Sequence, residues 1–204
     1  MMNTELSSEM ESKIIEAATR VFVKKGRQGA SMQDIAVEAG INRTSLNYYF
    51  RSKDKLFDLI FDEVFLKFIP DVAKIMVTEL PVQKKIEFFI NNYTRILQSS
   101  PMTPVFILHE LSNNPERLVA TIKSRGVDPD ILLDQVRSEM EKGNIRQMDP
   151  RQLIIHLLSL VIFPFAAKPM LVGMLFNEDK EAYSTFIDER RDSLKEYFLN
   201  SIKK

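Results

Sequence analysis

Cysteine is absent from all 204 residues. Its absence excludes a disulfide framework, a thiolate-held metal and a cysteine nucleophile together. It also fits a reducing compartment, so a cytoplasmic location is expected. The polar, acidic opening MMNTELSSEMESK has no basic stretch followed by an apolar one, so no secretory signal is expected. There is no glycine-rich phosphate loop, no Gly-x-Ser-x-Gly elbow and no carboxylate pair at a recognisable spacing. An enzyme is therefore not expected, nor is a cofactor. Alternating apolar and polar runs are missing, as are Asn-Gly and Asp-Gly turns, so strands and hairpins are not expected either. Long hydrophobic runs are scarce too. The longest uncharged one, Leu153–Ala167, falls short of the roughly 20 residues a spanning helix needs, and Pro164, Lys168 and Pro169 interrupt it. A helix apolar on nearly all sides reads as one buried within a protein or between two subunits, not as a membrane span.

Net charge is lacking as well: 28 basic residues balance 28 acidic ones. The balance is not local. Between Arg20 and Lys55 stand Arg20, Lys24, Lys25, Arg27, Arg43, Arg51, Lys53 and Lys55, against Asp34, Glu38 and Asp54, a net +5. Such asymmetry is either an electrostatic footprint for a polyanion or a solvated basic face.

What is present is helical periodicity. The first helix is predicted from Ser8, with Ser8-x-x-Glu11 as a capping box, to Lys25, stopped by Gly26. Its apolar stripe is Ile14, Ala17, Ala18, Val21 and Phe22. A second helix starts at Ser31, with Asp34 as capping partner, and closes at Gly40 in a left-handed turn. A third follows Asn42 as N-cap and ends near Phe50. A fourth starts after Ser52, with Leu56, Phe57, Ile60, Val64 and Phe65 as its apolar face, and runs towards Pro70. Further helices are placed at 71–79, 82–99, 103–112, 115–142, 150–175 and 180–202, with Gly126–Pro129 a candidate break and Asp149-Pro150 a cap and opening. The fold class is all-α. The domain boundary is drawn between residues 8–55 and 56–204.

The third helix carries the chemistry. At 100° per residue, Arg43, Thr44, Asn47 and Tyr48 share one face, while Leu46, Tyr49 and Phe50 turn towards the first two helices. Two short helices joined at a glycine, the second presenting a polar face, form a helix-turn-helix suited to the major groove of double-stranded DNA. Arg43 can fork onto guanine O6/N7 or meet a phosphate, and Asn47 can pair with adenine N6/N7. Thr44 offers a hydroxyl and a methyl, and Tyr48 can donate to a phosphate. Ser31 and Lys53 are expected at phosphates, which orient a protein without reading sequence.

Residues 12–56 resemble the N-terminal domain of TetR-family transcriptional regulators. The resemblance rests on a helix ending Phe22-x-x-x-Gly26, then Ser31-x-x-x-Ile35-Ala36-x-x-Ala39-Gly40-Ile41, then Tyr48-Tyr49-Phe50-x-Ser52-Lys53-x-x-Leu56. It covers about a quarter of the chain. Beyond it only the layout matches, with KGNIRQMDPRQL similar to the joint before the family's penultimate helix. One departure is Asn47, where the family often has Tyr. Tyr49 stands where His or Tyr is usual, and its hydroxyl is expected to reach a phosphate. The resemblance implies a homodimeric repressor of a palindromic operator, with a three-helix DNA-binding domain and a larger helical domain for ligand binding and dimerisation. It also implies a four-helix dimer interface from the last two helices, with Leu153, Leu157, Leu160, Val161, Phe186, Leu194, Tyr197 and Phe198 along the seam.

The remaining candidates are weaker in pattern. His109 and His156, the only histidines, lack metal-ligand spacing. With Phe88, Phe89, Tyr93, Met102, Phe106 and Met140 they line a pocket for a small hydrophobic ligand or simply pack the core. Two other functions compete: an all-helical enzyme with an incidental helix-turn-helix, and an interaction module whose basic head meets an acidic protein.

Overall fold

The computed structural model describes residues 2–66, 69–99 and 103–204. Every regular element among them is a helix: α1 (Met2–Gly29), α2 (Met32–Ala39), α3 (Arg43–Tyr49), α4 (Lys53–Leu66), α5 (Ile69–Met76), α6 (Val82–Ser99), α7 (Thr103–Asn113), α8 (Pro115–Ser124), α9 (Pro129–Glu141), α10 (Pro150–Ala166), α11 (Lys168–Leu175) and α12 (Lys180–Ile202). They form two units, one from Met1–Lys67 with Val105–Pro115 and one from Phe68–Pro104 with Glu116–Lys204. The grouping differs from the boundary drawn at 55/56, because α4 turns its apolar side into the first unit.

In the first unit the predicted stripe of α1 is the core: Ile14, Ala17, Ala18, Val21 and Phe22 are all buried. Phe22 meets Phe57 of α4 edge-on at 5.0 Å, and Phe57 lies 5.3 Å from Phe106 of α7. α1 starts at Met2, not Ser8. Residues 2–7 hold no proline or glycine, and a helix nucleated on the buried stripe propagates backwards at little cost. A residue already inside a helix has no free first-turn N–H to cap, so the Ser8 box is not needed; the Ser8 side chain is outside the described residues, as are those of Val64, Phe65 and Met102. Gly26 breaks the helical path at φ 70°, ψ 170°, and one further turn follows before Ala30.

The second unit packs α9, α10 and α12 around α6. Ile86, Ile90 and Leu97 of α6, Val136 of α9, Leu153, Leu157 and Val161 of α10, and Ile187, Leu194 and Phe198 of α12 are buried. Lys85 is buried as well, yet its ammonium is satisfied. It donates to the carbonyls of Met76 and Thr78, each at 2.7 Å, and to Gln135 Oε1. Loss of water around it pushes its pKa down. The predicted 115–142 stretch does break, at Gly126 with φ 81°, and Asp128 caps α9.

The predicted helix over 150–175 is two helices bent by 70°. α10 passes through Pro164, whose missing N–H leaves the Leu160 carbonyl without a helical donor. Arg190 of α12 supplies one, its Nη2 lying 3.2 Å from Leu160 O, and the Tyr183 hydroxyl donates to Pro164 O at 2.8 Å. A second proline, Pro169, cannot donate to Phe165, and the path turns at Ala167. No single helix among the described residues is long and apolar enough to cross a membrane.

Candidate nucleic-acid interface

The turn between α2 and α3 is assembled from local hydrogen bonds. Ser31 caps α2: its hydroxyl accepts from the Asp34 N–H at 3.1 Å, and the Asp34 carboxylate accepts from the Ser31 N–H at 3.0 Å. At the other end Gly40 sits at φ 67°, ψ 34°, its N–H donating to Val37 O while Ile41 donates to Ala36 O. These two bonds define a Schellman closure, whose left-handed residue disfavours a Cβ. Two residues later the Asn42 side chain accepts from the Ser45 N–H at 2.7 Å and starts α3. The two short helices are thereby fixed at their facing ends.

α3 is anchored from below. Leu46 is fully buried, while Tyr49 and Phe50 are half-buried. Arg43, Thr44, Asn47 and Tyr48 are all exposed, Tyr48 by 84%. The Tyr48 ring is met edge-on by Tyr49 at 5.2 Å. The four polar side chains thus share an open face, and Tyr49 lies at its margin.

Ion pairing sorts the charge. Each carboxylate of the basic segment has a partner: Asp34 with Lys25 (2.6 Å), Glu38 with Arg20 (2.7 Å), Asp54 with Arg27 (3.1 Å). The surplus of five therefore rests on Lys24, Arg43, Arg51, Lys53 and Lys55. Arg51, Lys24 and Lys55 are exposed and join no ion pair among the described residues, so they extend the cationic surface beyond the residues singled out from sequence. Their signal was charge alone, which does not say which cations a fold neutralises.

Two residues expected at phosphates are engaged within the protein itself. The Lys53 ammonium places two of its three protons on the protein, donating to Ala30 O at 2.8 Å and Gln28 O at 3.1 Å. The Ser31 hydroxyl donates to Asp34 Oδ2 at 2.7 Å and its N–H is used in the same cap, so neither is free for a ligand. Through its bonds to Lys25 and then Ser31, Asp34 is held at about 2 against an ordinary 3.8. A lowered carboxylate pKa stabilises the fold above the ordinary value, and that support is lost as pH falls through the lowered one. The cap is therefore expected to persist at pH 3 and to loosen only near pH 2. An NMR titration of the Asp34 carboxyl checks this, and Lys25→Ala should move its midpoint back towards 3.8.

The ligand candidates are divided between the two units. Phe106 belongs to the ring cluster of the first unit, and His109 packs against Gly26 there. Phe88 and Phe89 are half-buried and Tyr93 is buried on α6, with the Phe89 and Tyr93 rings 5.1 Å apart. Burial pushes the Tyr93 hydroxyl up to about 12. Met140 is buried, its sulfur accepting from the Met148 N–H at 3.4 Å in the α9–α10 turn, and His156 is exposed. Five of the eight residues expected along a dimer seam are buried within this chain. Leu153, Leu157, Val161, Leu194 and Phe198 face inward because the second unit needs them for its own core. Leu160 is half-buried, whereas Phe186 and Tyr197 are exposed, as are Ile155 and Leu158 on the opposite side of α10.

A glycine-closed helix pair with a seated, outward-reading second helix defines a helix-turn-helix protein. Comparison with known proteins agrees and narrows it. Residues 14–60, about a quarter of the chain, match the bacterial regulatory proteins of the tetR family. It is 34% identical over 73 residues to the HTH-type transcriptional regulator PksA of Bacillus subtilis, covering 36% of each chain. It is 30% identical over 86 residues to the HTH-type transcriptional repressor NicS of Pseudomonas putida, covering 40% of this chain and 41% of that one. In those matches the chain spans about two fifths or less of its relatives' lengths. The fold extends further. The ketosteroid transcriptional regulator KstR2 of Mycobacterium tuberculosis superposes with a TM-score of 0.64 over 95% of both chains at 16% identity.

Proposed function

We propose that this protein is a homodimeric regulator of transcription that binds a palindromic operator through α3 and is released from it by a small apolar ligand, which makes it a repressor. The observation that carries the reading is the face of α3: Arg43, Thr44, Asn47 and Tyr48 stand exposed on a helix seated by buried Leu46, beside Arg51 and Lys55, which join no ion pair among the described residues. Donors and acceptors of those types at that spacing suit base edges in the major groove, and the surrounding cations suit phosphates.

The finer parts rest on separate supports. The repressor sense draws on NicS, which carries that name. The dimer draws on the exposed Ile155, Leu158, Phe186 and Tyr197, apolar side chains on the two long helices near the C-terminal end. A two-fold pair places two α3 helices in successive major grooves, and hence a palindrome. The ligand wall is assigned to Phe88, Phe89 and Tyr93 of α6, with a ligand of apolar character in keeping with KstR2, a ketosteroid regulator. Release requires the ligand to prefer the state that binds DNA poorly. Action on duplex DNA is in keeping with a cytoplasmic location.

Selection of bound duplexes from a random pool tests the reading. Recovery of one palindrome is expected, with affinity falling steeply as salt rises. A pool recovered without preference would leave a basic interaction module as the better description. On the selected duplex, Arg43→Ala is expected to cost about 1–3 kcal/mol and to relax preference at one base pair per half-site. Equal weakening on every sequence would make Arg43 a phosphate contact instead.

A further inference from the structure

We propose that Lys53 is a positioning residue for DNA recognition, clamping the entrance of α2 instead of contacting the DNA backbone; the proposal rests on the DNA-binding reading above. Lys53 is the first residue of α4, and its Nζ bridges Ala30 O at 2.8 Å and Gln28 O at 3.1 Å. Both carbonyls lie just past the Gly26 break, where a helical segment ends and its last carbonyls have no intrahelical donor. A cation is the favoured partner for carbonyls at such an end. Ala30 is only 3% exposed, and the next residue, Ser31, is the N-cap of α2. One ammonium therefore ties the end of α1, the start of α2 and the start of α4. α2 in turn carries α3 through the Gly40 closure, so the clamp sets the frame in which the reading face is presented.

A lysine ammonium has three protons, and two are used here. The third leaves a phosphate contact chemically open, which makes the two roles separable by experiment. A phosphate contact contributes about 0.9 to the slope of log affinity against log salt, and its loss weakens every sequence alike. A positioning residue contributes little to that slope, and its loss falls on the sequence whose bases are read.

The test is Lys53→Met in the full chain, measured on the selected palindrome and on random duplex across a range of salt, together with amide exchange on the free protein. Operator affinity is expected to fall about tenfold, as for loss of charge-assisted hydrogen bonds. Random-duplex affinity should change less than about twofold, the salt slope should hold, and the amides of residues 30–35 should exchange faster. A slope reduced by about 0.9 with equal weakening on both duplexes would overturn the proposal. So would unchanged exchange at those amides. If Lys53→Met does not fold, Lys53→Gln, a shorter neutral side chain, is measured in its place. A wild-type protein with no preference among duplexes would defeat the DNA reading and this role together. Unchanged exchange beside a wild type that does select its palindrome would defeat the clamp alone.

Discussion

Gly26→Ala is expected to destabilise the first unit by about 3 kcal/mol, from backbone strain and overpacking acting together. At φ 70°, ψ 170° the residue occupies a region almost confined to glycine. The space beside it is also filled: a Cβ built at 26 would lie 2.9 Å from His109 Nε2 and 3.0 Å from its Cε1. Retreat of the histidine ring would disturb its own contacts, Glu110 Oε1 at 3.7 Å from Nδ1 and Asn113 Nδ2 at 3.5 Å from Nε2. The two contributions can be separated. His109→Ala in the Gly26→Ala background should relieve the clash and leave the backbone strain, so the pair should be non-additive. Stability is best read from amide exchange in α1, α2 and α4, since a chain of two units need not melt in one step. Simple additivity would show that the ring moves aside freely and that dihedral strain is the whole effect.

Leu46→Ala should cost about 2–5 kcal/mol, the range for emptying a buried leucine site. Leu46 is fully buried, and it is the one side chain of α3 that is. Seven residues are too few to hold a helix by propensity, so its seating depends on that contact and on the Asn42 cap. The expected result is early exchange of the α3 amides and loss of operator selection together. Thr44→Ala is the counterpart on the open face of the same helix. Its stability should stay within about 0.5 kcal/mol of the parent while its DNA selection shifts. A Leu46→Ala protein as stable as the parent would mean that α3 is held by its ends alone.

Much of the helix-turn-helix was legible because its determinants are local. Ser31 with Asp34, Gly40 at a left-handed position and Asn42 before α3 each act over three or four residues. Backbone hydrogen bonding at a helix end leaves few alternatives. The side of α3 that faces out was equally readable, since the helical period places it. The fate of individual charges was not. Nothing near Lys53 in sequence marks it as the partner of carbonyls at 28 and 30, and nothing near Arg20 marks Glu38 as its counter-ion. Those pairings link residues 18 to 25 apart, across helices whose relative placement the period does not give.

The α10–α12 region shows the same division. An apolar helix around 150–166 was evident, but such a helix is apolar on two sides, and periodicity cannot say which side the chain keeps for itself. The core of the second unit takes Leu153, Leu157 and Val161, leaving Ile155 and Leu158 outside. The pair of prolines looked like punctuation. Pro164 is instead carried within the helix because Arg190 and Tyr183, from a helix distant in sequence, satisfy the carbonyls exposed around it.

By itself, then, the amino-acid order determined the all-helical class, the ends of α2 and α3, and the face α3 presents, because caps, glycine turns and the 3.6-residue repeat are short-range physics. Only the tertiary structure decided which of the five surplus cations are open to a polyanion, which aromatics sit with Gly26 instead of α6, and which side of α10 faces solvent. Those outcomes follow from competition among distant groups for the same buried space and the same hydrogen-bonding partners, and that competition is resolved only once the helices are packed.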